Sequence, residues 1–175
     1  MVEHHSGGQR RGHERVARLV LAREDIDPNT ADTQYGQTPL WCATKGGHEG
    51  VVRLLLERED IDPNTADTLY GQTPLWCATK GGHEGIVELL LEREGIGPNT
   101  ADTLYRQTPL SHAMEGGHQG IIQLLLEQKD IDLGVADPHS RTSLWWAAKG
   151  GHEGIVEFLL AQEDINPDTA DTLSG

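Results

Sequence analysis

Apolar and polar side chains alternate along this chain with the period of short helices. After Gly47, the apolar residues Val51, Leu54 and Leu55 stand at positions i, i+3 and i+4, so they share one face of a helix from about residue 48 to residue 57. A period of about 3.6 residues recurs in every apolar segment, and proline and asparagine interrupt each connection. The pattern predicts an all-α fold of helices and loops without a core sheet.

A shorter helix is predicted just before each of these helices. Thr38 can cap its N-terminus with the side-chain hydroxyl, and Pro39 occupies the first helical position, where a missing N–H costs nothing. The helix then runs through residues 40–45. Gly46 and Gly47 end it, because glycine accepts the left-handed conformation that closes a helix.

This helix pair is repeated along the chain, and residues 25–59 differ from residues 60–94 at three positions only. The predicted units are 1–24 (second helix only), 25–59, 60–94, 95–129, 130–163 and 164–175 (opening loop only). The four complete units are called copies one to four below. Two short helices cannot bury both of their apolar faces alone, so the copies are expected to stack into a solenoid.

The copies resemble ankyrin repeats. In copy one, the residues that carry the resemblance are Gly36, Thr38, Pro39, Leu40, Ala43, Gly47, His48, Val52, Leu55 and Leu56. The same segment recurs from Thr73, Thr108 and Thr142. The copies are 35 residues long, or 34 in copy four, where about 33 is usual. The extra length lies in the connecting loop, as in the large fungal ankyrin-repeat proteins, which this loop sequence also resembles.

The resemblance implies an L-shaped repeat whose hairpin tips and first helices form a concave protein-binding face. The residues predicted to contact a partner there are Tyr35, Gln37, Trp41, Lys45, Tyr70, Gln72, Trp76, Lys80, Tyr105, Arg106, Ser111, Glu115, His139, Trp145 and Lys149. At the hairpin tips, Gly36 and Gly71 are expected to adopt a positive φ. Arg106 and Ser140 replace this glycine in copies three and four, so those hairpins are expected to turn differently.

On the first helix, three copies place a tryptophan four residues before a lysine, as in Trp41 and Lys45, and such residues are neighbours on a helix. Stacking should align these pairs into a ladder. Two interpretations stay open: the indoles contact a partner directly, or each covers the adjacent hairpin as part of the scaffold. Copy three breaks the ladder with Ser111 and Glu115, either because this copy has drifted or because a ligand is recognised there.

The net charge of the chain limits the classes of partner that it is expected to bind. With 28 acidic and 14 basic residues, the net charge of -14 disfavours nucleic acid and suggests a protein with a basic patch. No apolar segment approaches the roughly 18 residues of a membrane span, and the first residues lack the apolar core of a signal peptide. The chain is therefore expected to be cytoplasmic, without a membrane partner.

Motifs for catalysis, metals or cofactors find no support. The aspartates from Asp25 imitate a calcium-binding loop but lack its glycine and final glutamate. His48 recurs in every copy, as a structural hydrogen-bonding residue would and a catalytic one would not. Cys42 and Cys77 are expected to lie roughly 10 Å apart on packed helices, too far for a disulfide. Phosphate-binding loops and nucleophile elbows are absent from the sequence, which predicts a non-enzymatic chain without a cofactor.

Two functions remain open from the sequence. The first is a protein-interaction module that binds through the concave face. The second is a structural spacer or self-associating array without a specific ligand, which the near-identity of copies one and two and the incomplete outer copies favour. Because the second helix of copy four is apolar and followed only by a short tail, end-to-end association through the terminal copies is also expected.

Overall fold

The computed structural model describes residues 5–23 and 25–161, with side chains from residue 13 onward. The helices of this part of the chain are α1 (His5–Leu21), α2 (Pro39–Lys45), α3 (Glu49–Leu56), α4 (Pro74–Lys80), α5 (Glu84–Leu91), α6 (Pro109–Gly116), α7 (Gln119–Leu126), α8 (Ser143–Lys149) and α9 (Glu153–Leu160). None of these described residues is in a strand. The predicted all-α solenoid is therefore confirmed.

The first helix of each copy begins as the sequence predicts. The Thr38 hydroxyl accepts a hydrogen bond of 3.2 Å from the Trp41 backbone N–H, and Pro39 follows at the first helical position. Copies two and three repeat this cap at Thr73 and Thr108. In copy four, Thr142 makes no such side-chain bond, so the start of α8 lacks a contribution of about 1 kcal/mol.

The first helices α2, α4, α6 and α8 pack side by side in one row, and the second helices α1, α3, α5 and α7 pack in another row behind it. Fully or nearly fully buried alanines allow the helices of the first row to approach closely, at Ala43, Ala78, Ala113 and Ala147. The second helices supply the larger side chains of the core, such as Val52, Val87 and Leu90. The core is thus continuous along the stack and is not divided into separate domains.

The histidine at the start of each second helix packs against the neighbouring copies. A Cβ built on Gly47, which has φ +66°, would lie 2.8 Å from Cε1 of His83 in the next copy. The pairs Gly82 and His118, and Gly117 and His152, repeat this approach. The histidines make no capping hydrogen bond to their own helices. Their recurring role is therefore steric packing, whereas the sequence suggested hydrogen bonding.

An asparagine in the connecting loops of copies one, two and three ties each copy to the next; copy four has Gly134 at this position. The Asn29 side chain donates to the Asp60 carbonyl at 2.6 Å and accepts from the Asp62 N–H at 3.1 Å. Asn64 and Asn99 make the equivalent pairs with the copies that follow them. These bonds give the recurring loop motif a structural role.

The hairpin tips confirm one prediction and correct another. Gly36 and Gly71 both have φ +66°, as expected. Arg106 and Ser140 were expected to turn differently, yet they also adopt left-handed φ values of 53° and 59°. A Cβ at Gly36 or Gly71 would lie 2.6 Å from the threonine Cγ2 of the next hairpin. In the sequence of copy four, Pro138 occupies the position of that threonine.

The junction between copies three and four differs from the others. The second helices α7 and α9 pack less closely than the other neighbouring pairs, and a groove of about 480 Å³ opens between them. At α9, Ile155 and Leu159 are buried while Phe158 and Leu160 are exposed. The tail that follows, including residues 164–175, lies outside the described residues.

Helix α1 spans His5–Leu21, within the predicted unit 1–24. It packs on α3. Its outward side chains Val16, Leu19 and Val20 are 60%, 65% and 39% exposed. This apolar face borders a broad cleft of about 760 Å³ between α1 and copy one.

Candidate protein-binding face

A cleft of about 210 Å³ lies between the hairpins of copies one and two, beside helix α2. Its lining residues are Tyr35, Gln37, Trp41, Lys45, Asp67, Leu69, Tyr70 and Gln72. Six of these eight were predicted as partner contacts from the sequence. The structure therefore brings these six predicted residues together in one concavity, while Trp76 and Lys80 lie outside it.

Leu69 was missed by the sequence analysis, although it is one of the three positions at which copies one and two differ. Its side chain is 53% exposed, like that of Leu104 in copy three. The neighbouring tyrosines Tyr35, Tyr70 and Tyr105 are 38%, 39% and 56% exposed. The sequence did contain a signal for this residue, because Leu69 is an apolar side chain at a loop tip, where there is no core to bury it. We use the name tip ridge for the exposed residues Tyr35, Leu69, Tyr70, Leu104 and Tyr105.

The backbone beneath the tip ridge is held in place by hydrogen bonds. The Thr68 N–H donates to the Tyr35 carbonyl at 2.8 Å, and the Thr103 N–H donates to the Tyr70 carbonyl at 2.7 Å. Within the second hairpin, the Asp67 carboxylate accepts from the Leu69 and Tyr70 N–H groups at 3.0 and 2.6 Å. The ridge is therefore a preformed surface, which reduces the entropy lost on binding.

The tryptophans of copies one and two belong mainly to the scaffold. Trp41 and Trp76 are 2% and 3% exposed, which favours the interpretation that each indole covers the adjacent hairpin over the interpretation that it contacts a partner. The Trp41 Nε1–H donates to the Gln72 carbonyl at 2.7 Å, and the Trp76 Nε1–H donates to the Gln107 carbonyl at 3.2 Å. Each indole is thus hydrogen-bonded to the hairpin of the next copy, a contact that we call the indole clamp. Trp41 also lines the cleft, but only a small part of its ring is exposed there.

Lys45 and Lys80 cover these indoles and remain exposed. Their Nζ atoms lie 4.6 and 4.7 Å from the ring centroids of Trp41 and Trp76. Neither lysine takes part in any of the ion pairs found among the described side chains. The predicted Trp–Lys pairing is present, and its solvent-facing part is the ammonium group.

Copy three replaces this arrangement with internal contacts. Ser111 is 3% exposed and its Oγ lies 3.0 Å from the Thr108 Oγ1, so this residue is buried and cannot be the surface contact that the sequence analysis assumed. Glu115 accepts a hydrogen bond of 3.1 Å from the Lys149 ammonium of copy four. The break in the ladder is therefore compensated by an ion pair between copies.

In copy four the buried indole is that of Trp146, at 3% exposure, while Trp145 is half-buried. The Arg141 guanidinium pairs with Asp137 and lies over both rings. Lys149 lies 5.5 Å from the Trp145 ring and 4.5 Å from the Trp146 ring. The sequence analysis therefore assigned the ladder position to Trp145 alone, although the Trp146 ring packs edge-on against it at 4.8 Å.

The remaining predicted contacts Arg106 and His139 are exposed at the tips of the third and fourth hairpins.

Two buried titratable groups lie under this face. Burial raises the pKa of the Cys77 thiol to about 12, and both cysteines are free, as predicted. Burial, and secondarily the charge of Lys80, lowers the pKa of His112 to about 4. The His112 ring packs edge-on against Trp76 at 4.4 Å, so it serves as a neutral core residue.

Charge is distributed unevenly between the two rows of helices. The first helices carry Lys45, Lys80 and Lys149 against the single acid Glu115. The second helices α3, α5, α7 and α9 carry the acids Glu49, Glu84, Glu88, Glu153 and Glu157 against the single base Arg53. Helix α1 differs from the other second helices, because it carries Arg10, Arg11, Arg15 and Arg18 against the single acid Glu14. The first helices are therefore net positive, although the chain as a whole is acidic.

Among the described side chains, no group of three or more His, Cys, Asp or Glu is arranged to hold a metal ion. The described helices also include none that is long and apolar enough to cross a membrane. A further cleft of about 440 Å³ is lined by the histidine and glutamate side chains that start the second helices, including His48, Glu49, His83 and Glu84.

The family model for ankyrin repeats, which spans three copies, matches residues 8–102 and again residues 94–171. The chain therefore belongs to the ankyrin-repeat family. Repeats of this family generally mediate protein–protein interactions and are typically non-enzymatic. A comparison with curated protein sequences found no match.

Proposed function

We propose that this chain is a non-enzymatic protein-interaction module whose partner binds the concave face formed by the hairpin tips and first helices. The observation that carries the proposal is the tip ridge: three tyrosines and two leucines stay exposed on loops whose backbone is fixed by hydrogen bonds. Tyrosine is enriched at protein interfaces because it offers both apolar area and a hydroxyl group. Stability gives no reason to keep leucines at these tips.

The cleft beside α2 supports the same proposal. It places the Tyr35 and Tyr70 rings, the Gln37 and Gln72 side chains and the Lys45 ammonium around one concavity. A concave site with apolar walls and a few polar groups is the usual form of a recognition pocket. A side chain of the partner would enter this cleft while its backbone lies along the ridge.

A paired-variant capture experiment tests this function. The parent chain, the Leu69→Ser/Leu104→Ser variant and the control Leu19→Ser/Leu160→Ser variant are each immobilised and exposed to lysate of the source organism. The control removes two leucines of similar exposure, 65% and 53%, from second helices. We expect a protein that the parent and the control retain and the ridge variant loses. Equal retention by all three variants would contradict the proposed face.

Self-association is a second candidate function, and the exposed apolar face of α1 favours it. Val16 and Val20 line the 760 Å³ cleft of copy one, and Leu19 is exposed on the same helix. Exposed apolar patches of this kind often mark interaction sites. Sedimentation velocity distinguishes the candidates: a parent that dimerises and a Leu19→Ser variant that stays monomeric would assign α1 to self-association.

A further inference from the structure

We infer that the concave face recognises an extended, acidic peptide segment of its partner, with carboxylates directed at Lys45 and Lys80. This inference rests on the proposed function, because it names the chemistry of the partner for the same face. The prediction of a partner with a basic patch used the total charge of the chain. That total does not describe the first helices of this face, which carry Lys45, Lys80 and Lys149 against the single acid Glu115.

Lys45 and Lys80 are the exposed cations of the first helices in copies one and two, and each lies over an indole. Among the aspartates of the adjacent hairpins, Asp67 and Asp102 are buried, at 4% and 2% exposure, whereas Asp32 of the first hairpin is exposed. All three carboxylates accept backbone N–H groups of their own hairpin. A ligand that lies along the first helices therefore meets the two ammonium groups, and Asp32 is the one exposed carboxylate among these three.

The third and fourth copies limit where this recognition extends. Lys149 is bonded to Glu115 at 3.1 Å, so its charge is already paired. The cationic part of the face therefore ends after Lys80, with Arg106 as the exposed base at the next tip. Lys45 and Lys80 belong to consecutive copies, so they fix the position along the stack at which the ligand binds.

The spacing of the copies suggests the form of the peptide. Packed helices are separated by about 10 Å, so Lys45 and Lys80 should present their charges at a comparable spacing. A polyproline II segment turns every three residues and rises about 3.1 Å per residue, which brings side chains i and i+3 to one face about 9 Å apart. Apolar residues between two such acids would contact Leu69 and Tyr70 on the ridge.

Nucleic acid satisfies this chemistry less well. A duplex or single strand presents a phosphate at every nucleotide, whereas this face offers two free lysines on a chain of net charge -14. The exposed leucines of the ridge also match apolar side chains better than a phosphodiester backbone. The observations therefore favour a peptide.

The test uses the whole chain and a displayed library of random 12-residue peptides as the probe. We expect the selected peptides to be enriched in Asp and Glu, frequently three residues apart. Neutralising both lysines as Lys45→Gln/Lys80→Gln should weaken their binding about tenfold or more, since exposed ion pairs contribute up to about fivefold each. Lys45→Arg/Lys80→Arg should retain binding, because it keeps the charge.

An Arg53→Gln/Lys129→Gln variant serves as the control, because it removes the same charge from outside the concave face. Peptides without acidic enrichment that still lose affinity for Leu69→Ser/Leu104→Ser would overturn the acidic assignment while keeping the proposed face. Peptides that bind the ridge variant as well as the parent would overturn the proposed function itself. Tighter binding of a single-stranded oligonucleotide of 12 residues than of any peptide would overturn the peptide class.

Discussion

The indole of Trp41 donates a hydrogen bond of 2.7 Å to the backbone carbonyl of Gln72, one copy further along the chain. The same carbonyl also accepts from the Asp67 N–H, which closes its own hairpin. One buried side chain therefore couples the first helix of copy one to the hairpin geometry of copy two. This relationship explains why a tryptophan that resembles a surface residue in the sequence is part of the scaffold.

Removing this bond should destabilise the stack. We expect Trp41→Phe to lower the free energy of unfolding by about 1–2 kcal/mol, since a hydrogen bond and part of a buried ring are lost. Trp146→Phe is the matched control, because the buried Trp146 Nε1 has no hydrogen-bond partner in the structure. Chemical denaturation should show a smaller loss for Trp146→Phe. Equal losses would mean that the indole bond contributes nothing.

Adding a side chain at one hairpin tip and removing one at another should change the stability of the fold in opposite directions. Gly71→Val should destabilise by about 1 kcal/mol or more, because a β-branched residue is disfavoured at positive φ and its Cβ would lie 2.6 Å from the Thr103 Cγ2. Arg106→Gly should instead stabilise by up to about 1 kcal/mol, since it relieves a left-handed non-glycine residue. Melting curves that do not change for either variant would refute the role assigned to these tips.

Copy four should open before the rest of the stack. Its junction with copy three lacks the indole clamp, because Ser111 replaces tryptophan, and lacks the tip-to-tip bond, because Pro138 has no N–H to donate. Native-state hydrogen exchange should show lower protection in α8 and α9 than in α4 and α5. Uniform protection across all copies would contradict this order.

The buried His112 should make the stability of the folded chain depend on pH in the acidic range. The folded-state pKa of His112 lies near 4, below the usual value of 6.5, so the unfolded chain binds this proton more readily. Stability should therefore decline as pH falls from about 6.5 toward 4. His112→Cys, which introduces the residue found at this position in copies one and two, should flatten that decline. An unchanged pH profile in the variant would assign the acid sensitivity to other groups.

The sequence predicted the helix pairs and their caps well, because these depend on local signals such as Thr38, Pro39 and the glycine pair. It was wrong about Arg106, which keeps the left-handed turn of the glycine that it replaces. It left the role of Trp41 open, because the burial of this indole depends on the hairpin of copy two. Leu69 was missed because only the structure shows that it stays outside the core.

Mapping a bound peptide onto the chain by NMR tests the central claim most directly. A peptide selected by display is titrated into isotope-labelled protein, and the backbone amides and indole N–H signals are followed. The account predicts that the largest shifts fall on the hairpin tips around Tyr35, Tyr70 and Tyr105 and on the Trp41 indole. Shifts concentrated on helices α3, α5 and α7, with the tips unchanged, would contradict it.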